Sequence, residues 1–89
     1  DDEEEQIQRT EEGLLVDGRA SLDDVAEELG TELASESFDT IGGYVFGLFG
    51  RQPAKGEAIQ DSGFRFIVAD TDGRRIHRLA IVEAPQEIV

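Results

Sequence analysis

The segment Asp39–Gly50 decides the fold, and its sequence is DTIGGYVFGLFG. It is nearly free of charge, and its apolar residues have the i, i+4, i+7 and i+8 spacing of one helix face: Ile41, Val45, Leu48 and Phe49. Three glycines lie inside this predicted helix, and each costs about 1 kcal/mol relative to alanine. We therefore expect something to approach the helix backbone closely, either the protein's own sheet or a ligand.

The residues before this helix predict a hairpin, a shorter helix and a connection. Two short strands, Ile7–Arg9 and Leu14–Asp17, flank a turn around Glu11-Glu12-Gly13. A helix should begin at Ser21, whose hydroxyl caps the first turn, and end at Gly30 in the left-handed conformation. Its buried stripe is predicted to be Leu22, Val25, Ala26 and Leu29. Residues 31–38 form a polar connection anchored by Leu33 and Phe38, and Thr40 or Asp39 caps the central helix.

After the central helix, residues 51–57 form a turn, and the last third of the chain predicts a hairpin around Asp72-Gly73. A two-residue turn there places Val68 opposite His77 and Asp70 opposite Arg75. One face then collects the core residues of this hairpin, with His77 at the end of the stripe: Phe64, Phe66 and Val68 opposite Ile81, Leu79 and His77. Ile76 is out of phase with this face, so a bulge or a second, partly covered face is required.

Composition excludes several classes of function. The 89 residues suffice for one domain, and without cysteine there is neither a disulfide nor a cysteine zinc site. The net charge of −13 and the lack of a contiguous basic patch argue against nucleic-acid binding. The longest apolar run, Ile41–Phe49, is far shorter than the roughly 20 residues that span a bilayer. We expect a soluble piece of a longer protein that does not insert into the membrane.

Two pairs of acids are candidate metal ligands. Asp70 and Asp72 resemble the start of a calcium loop, but later ligands are missing, so a hairpin turn is favoured. Asp23 and Asp24 lie on the exposed face of the first predicted helix, where carboxylates attract divalent cations but rarely enclose them.

The start of the central helix is the candidate ligand site. Thr40, Gly42 and Gly43 could present free amides to a phosphate or carboxylate. No dinucleotide or phosphate-loop motif accompanies them, so close packing against the sheet is favoured. His77 is the chain's one histidine, and without a nucleophile at recognisable spacing we predict a structural or surface role.

Together these segments resemble the transporter-associated domain of the CorC/HlyC family. The resemblance covers roughly residues 6–83 and rests on four motifs in order. They are Leu15-Val16-Asp17-Gly18-Arg19 with Ser21-Leu22-Asp23-Asp24; Asp39-Thr40-Ile41-Gly42-Gly43-Tyr44-Val45; Gly50-Arg51-Gln52-Pro53 with Gly56-Glu57; and Phe66 and Val68 leading into Asp72-Gly73-Arg74-Arg75-Ile76.

The resemblance implies a small α+β two-layer sandwich, mostly antiparallel sheet with two short helices, similar to a subdomain of FAD-binding oxidoreductases. It implies a non-enzymatic cytoplasmic module of a magnesium or cobalt transporter. In such a protein the module would follow transmembrane and CBS domains, which would be its partners. A homodimer of the module is another possible arrangement. Residues 1–5 would be an acidic linker and residues 84–89 a tail. FAD follows from fold analogy alone, so no cofactor is expected. Two alternatives stay open: an FAD- or nucleotide-binding module, and a divalent-cation sensor using the acidic surface.

Overall fold

The computed structural model describes residues 6–33 and 37–84. The predicted acidic linker, residues 34–36 of the connection and all but the first residue of the predicted tail lie outside the described residues. The division into linker, domain and tail therefore stays a prediction.

The described residues form a five-stranded antiparallel sheet and two helices. In chain order these are β1 (Ile7–Arg9), β2 (Gly13–Asp17), α1 (Leu22–Leu29), α2 (Ile41–Phe49), β3 (Ala58–Asp61), β4 (Phe64–Thr71) and β5 (Ile76–Glu83). The strands lie in the order β1-β2-β5-β4-β3. The N-terminal hairpin and both helices agree with the sequence prediction.

Both helices have the predicted caps. The Ser21 hydroxyl accepts a hydrogen bond from the Asp24 amide, and the Thr40 hydroxyl accepts one from the Gly43 amide. Of the two residues considered as the α2 cap, Thr40 therefore has this role. Gly50 ends α2 with a φ of 70°, which a residue without a side chain adopts most easily.

Both helices contribute to one core with a single face of the sheet, which makes the fold an α+β two-layer sandwich. Alternate residues of β2, β4 and β5 point toward the helices, as the period of two in a strand requires. The most buried side chains include Val16, Val25, Ile41, Val45, Phe66, Val68, Leu79 and Ile81, none of which is exposed. The predicted fold class is confirmed.

The predicted register of the last hairpin is wrong by two residues at Val68 and by three at Asp70, which lies in an irregular stretch. Val68 lies opposite Leu79, not His77, and Asp70 pairs with Arg78, not Arg75. The turn is longer because one Asp72 carboxylate oxygen accepts hydrogen bonds from two amides, Arg74 N at 2.8 Å and Arg75 N at 2.9 Å. A shift of two residues preserves which side chains share a face, so the core face was still predicted correctly.

The pairing is irregular between Val68 and Thr71, where the register of β4 against β5 shifts twice. Beyond these irregularities Ile76 is buried, whereas His77 is exposed rather than part of the core stripe. This confirms the bulge that the phase of Ile76 required.

The sequence prediction missed β3. This strand pairs with the first half of β4 through a turn at Ser62 and Gly63, whose φ values are 56° and 84°. Two positive φ angles are what a two-residue type I′ hairpin turn requires. Only Ile59 and Asp61 of its four residues are partly buried, so its hydrophobic signal is weak.

Candidate functional site

A groove of about 1040 Å³ lies where the start of α2 meets one end of the sheet. Its walls are the connection after β2, the N-terminal turn of α2 and the tip of the β4–β5 hairpin. The aromatic rings of Phe38 and Phe46 line it on the helix side. The groove brings together residues that are up to about 60 positions apart in the sequence, from Asp17 to Arg78.

Five of the seven tentative site residues line this one groove. Thr40, Gly42 and Gly43 lie on the α2 side, and Asp70 and Asp72 lie on the hairpin side. The other two, Asp23 and Asp24, are exposed on α1 and do not line it. The candidate ligand site at the start of α2 and the candidate metal ligands of the hairpin, which were predicted separately, therefore line the same groove.

The amides at the start of α2 already have partners within the domain. Gly42 N donates to the Gly18 carbonyl at 2.9 Å, and Gly43 N donates to the Thr40 hydroxyl at 3.2 Å. Ile41 N donates to the Ala20 carbonyl at 2.9 Å. A ligand in this groove would therefore be held by side chains, not by free helix amides.

The α2 glycines are explained by close packing. A Cβ on Gly42 would lie 2.7 Å from the Gly18 carbonyl oxygen, a backbone atom that has little freedom to move. A Cβ on Gly47 would lie 2.7 Å from the ring of Phe38, which lies over this part of the helix although 37% of the residue is exposed. Gly42 thus lets α2 approach the chain after β2, the packing that the sequence analysis favoured.

Asp72 is committed to the hairpin turn. Besides the two backbone amides, it pairs with His77, whose Nε2 lies 3.0 Å from the second carboxylate oxygen. The Arg75 and Arg74 amides, and then His77, hold the pKa of Asp72 well below its usual value. In the described ranges, no group of three or more histidine, aspartate or glutamate side chains is placed to hold a metal ion. The metal sites remain untested predictions.

Four arginines also line the groove, and the sequence analysis missed them as a group: Arg19, Arg74, Arg75 and Arg78. Folding brings Arg19 to the other three, where Asp17, Asp70 and Asp72 also lie, so the arginines belong to a cluster of mixed charge. The detectable signal was the density of the run Arg74-Arg75-Ile76-His77-Arg78, which holds three of the chain's eight basic residues.

Asp17 is the acid most closely paired with these arginines. Arg19 donates from Nε and from Nη2 to the two Asp17 oxygens, each at 3.2 Å, and its amide donates at 2.8 Å. The Arg19 side chain is the main cause of a lowered Asp17 pKa, and the charge of Arg78, the cross-strand neighbour, adds to it. With four arginines against Asp17, Asp70 and Asp72, the groove lining has a formal charge of +1 when His77 is neutral.

Among the described residues, no helix is long and apolar enough to cross a membrane.

The sheet, the two helices packed on one of its faces and the groove at their junction define a small α+β domain. Residues 7–84 match the family model for the transporter associated domain (CorC_HlyC). The chain belongs to this family.

Three comparisons illustrate the relationship. The chain is 44% identical over 78 residues to the magnesium and cobalt efflux protein CorC of Escherichia coli, covering 84% of this chain but 27% of that protein. A crystal structure of a putative Mg²⁺ and Co²⁺ transporter (CorC) associated region from Neisseria meningitidis matches with a TM-score of 0.84 and 33% identity, covering 90% of this chain and 100% of that one. The domain of a Xylella fastidiosa hemolysin, in complex with Mg²⁺ and Mn²⁺, matches with a TM-score of 0.78 and 30% identity, covering 91% and 100%.

Proposed function

We propose that this domain is a non-enzymatic regulatory module of a larger membrane transport protein for magnesium or cobalt, located at the cytoplasmic face. The observation that supports this most is the match of residues 7–84 to a transporter associated domain, in a chain that spans about a quarter of its curated relatives. The transport activity of such relatives belongs to the whole protein. The role proposed for this domain is to modulate it.

The module would act through contacts with the CBS and transmembrane domains of its parent or with a second copy of itself. A module biases a two-state transporter only if its contacts differ in free energy between the two states. The groove is a suitable contact surface because it is open and because its basic lining differs from the rest of the molecule. The formal charge of the whole chain is −13 and that of the groove-lining residues is +1, so the remaining residues have a formal charge of −14.

Deletion in the full-length parent tests this proposal. Removing residues 6–83 should change the rate or the ion dependence of magnesium or cobalt flux, while the amount of parent protein in the membrane stays constant. A matched control replaces Glu11 and Glu12 by glutamine in the intact parent, because these exposed residues of the β1–β2 turn do not line the groove and are not candidate metal ligands. Flux and assembly that are identical with and without the module would contradict a regulatory role.

Divalent-cation sensing is a second candidate, and the Xylella fastidiosa domain in complex with Mg²⁺ and Mn²⁺ favours it. In this chain the candidate ligands are Asp70 and Asp72 at the groove, and Asp23 and Asp24 on α1. Calorimetry with magnesium, cobalt and calcium at physiological salt separates the possibilities. Site binding would saturate with a defined stoichiometry and weaken in one asparagine pair variant, whereas loose counterion condensation would do neither.

A further inference from the structure

The arginines of the groove have little internal compensation although the chain has 21 acidic residues. Arg19 pairs with Asp17. Within the described ranges, the side chains of Arg74, Arg75 and Arg78 form no ion pair or hydrogen bond with another side chain. Of the groove acids, Asp72 is already committed to its turn and to His77. Within the described residues, Arg74 and Arg75 therefore have no acidic side-chain partner, and Arg78 has only the cross-strand neighbours Asp17 and Asp70, on a molecule that is otherwise strongly acidic.

Magnitudes decide which kind of anion this groove suits. An exposed ion pair contributes about 0.2–1 kcal/mol, so a few such pairs bind a free anion only weakly. The negative charge on the rest of the molecule opposes a free anion and a tethered acidic segment alike, so the tether has to make the difference. A segment tethered to the same chain has an effective concentration in the millimolar range, so weak contacts suffice to hold it. The groove thus favours an acidic segment of its own chain over a diffusing ligand.

The chain contains one such segment, and the residue that follows it, Gln6, is hydrogen-bonded to the groove residue Asp17. Residues 1–5 are DDEEE, five consecutive acids that end one residue before Gln6. The Gln6 carbonyl accepts a hydrogen bond from Asp17 N at 2.8 Å, and Asp17 lines the groove opposite Arg78. The acidic segment is therefore attached at the end of the sheet where the groove lies.

The segment is also long enough to reach the arginines. Five residues extend up to about 17 Å from Gln6, at roughly 3.3–3.6 Å each. Arg74 and Arg78 are four positions apart, about 13 Å if the intervening chain is extended. Asp17 and Arg78 are direct cross-strand partners, with Cα atoms typically about 4.5–5.5 Å apart.

We propose that the groove lined by Arg74, Arg75 and Arg78 binds the acidic segment of residues 1–5 of the same chain. The bound segment places its carboxylates against the guanidinium groups and neutralises the groove. In a longer protein, this contact would hold the domain against whatever segment precedes it. The inference does not depend on the transporter role, so the two can fail separately.

Amide and arginine side-chain NMR spectra of the full 89-residue chain test this directly. Replacing Asp1 and Asp2 by asparagine and Glu3, Glu4 and Glu5 by glutamine should shift the resonances of the three groove arginines at low salt. The shifts should vanish near 1 M NaCl, where the Debye length falls to about 3 Å. A matched control, Glu11→Gln with Glu12→Gln, changes two exposed acids of the β1–β2 turn and should leave these resonances unchanged.

A charge swap adds a specific readout. Replacing the three groove arginines by glutamate should release residues 1–5, and replacing residues 1–5 by lysine in that background should restore the contact. All three arginines are exposed, so the fold should persist, and the resonances of buried Val16 and Leu79 verify it.

Three results would overturn the proposal. The first is a groove spectrum that does not respond to neutralisation of residues 1–5. The second is a response that scales with protein concentration, which would assign the contact to a second copy. The third is saturation by millimolar inorganic pyrophosphate with equal affinity in the parent chain and in the chain with residues 1–5 neutralised, which would indicate a general anion site.

Discussion

Gly42 shows how one missing side chain sets the distance between two parts of the domain. Its Cα faces the backbone of Gly18, and a Cβ would lie 2.7 Å from the Gly18 oxygen and 3.1 Å from the Gly18 Cα. Gly42→Ala should therefore lower the melting temperature, since the strain of about 1–3 kcal/mol exceeds the roughly 1 kcal/mol gained in helix propensity. Thermal unfolding followed by circular dichroism measures the change.

Gly47→Ala is the matched control in the same helix. Its Cβ would meet only the ring of Phe38, a partly exposed side chain that can rotate away. This variant should be neutral or slightly stabilising. Equal destabilisation by both substitutions would show that the backbone contact at Gly18 is not the reason for Gly42.

Glu57 links acid stability to the turn after α2. It accepts hydrogen bonds from both terminal nitrogens of Arg51 and, at 2.8 Å, from the Ala54 amide. The Arg51 side chain, followed by this amide, lowers the pKa of Glu57 from 4.5 to about 2. The pKa of Glu57 is lower in the folded state than in the unfolded state. Ionised Glu57 therefore stabilises the fold fully above its unfolded-state pKa of about 4.5, and this stabilisation is lost as the pH falls to about 2.

Glu57→Gln should therefore melt at a lower temperature than the parent chain at pH 7, and the gap should close on acidification below about pH 4.5. Melting curves between about pH 7 and pH 2.5 measure it. Glu11→Gln, which removes one exposed acid in the β1–β2 turn, corrects for the change in net charge. A Glu57 gap that stays constant down to the lowest pH would show that the carboxylate does not titrate with folding.

At the level of the elements, the sequence predicted what local signals determine. Caps and periodicity located both helices, and alternation located the core face of β4 and β5. The predicted register of that hairpin was wrong because the Asp72 carboxylate accepts hydrogen bonds from two backbone amides of the turn, which makes the turn longer than two residues. The dipeptide Asp-Gly alone does not reveal this. β3 was missed because a four-residue edge strand with two partly buried positions has hardly any pattern.

The groove was less predictable than the fold because it depends on contacts between distant segments. Gly42 and Gly43 were selected for free amides, yet both amides are engaged within the domain. Arg19 reaches the hairpin tip only because β2 pairs with β5. Sequence spacing cannot report that pairing.

One side-chain hydrogen bond joins α2 to the hairpin of β3 and β4. The Tyr44 hydroxyl donates to Asp61 at 2.6 Å, and the Tyr44 ring packs edge-on against Phe66. Burial, followed by the Asp61 contact, raises the pKa of Tyr44 above its ordinary value. Tyr44→Phe should lower the free energy of unfolding by about 1–2 kcal/mol, because a hydrogen bond to a charged partner is lost.

Urea unfolding of a double-mutant cycle isolates this bond. In an Asp61→Ala background, Tyr44→Phe should cost little, since no acceptor remains and the ring contact with Phe66 is kept. A Tyr44→Phe cost that is the same in both backgrounds would assign the effect to packing instead.

At the level of the whole molecule, charge opposes compaction. The chain has 21 acidic and 8 basic residues, and the acids repel one another more closely in the folded state than in the unfolded state. Raising NaCl from about 0.05 M to 0.5 M shortens the Debye length to less than half, so the melting temperature should rise. This rise should exceed the small loss from screening exposed pairs such as Arg9 with Glu28.

MgCl₂ at matched ionic strength distinguishes screening from site binding. Because no cluster of three or more acidic or histidine ligands exists among the described residues, the melting curves in MgCl₂ and NaCl should nearly coincide. A site with a Kd far below the magnesium concentration would instead add about 2.7 kcal/mol of stability at 100 times Kd, so it would already raise the melting temperature at low ionic strength. That early rise would favour the cation-sensing candidate. Its loss in Asp70→Asn with Asp72→Asn, but not in Asp23→Asn with Asp24→Asn, would assign the ion to the groove.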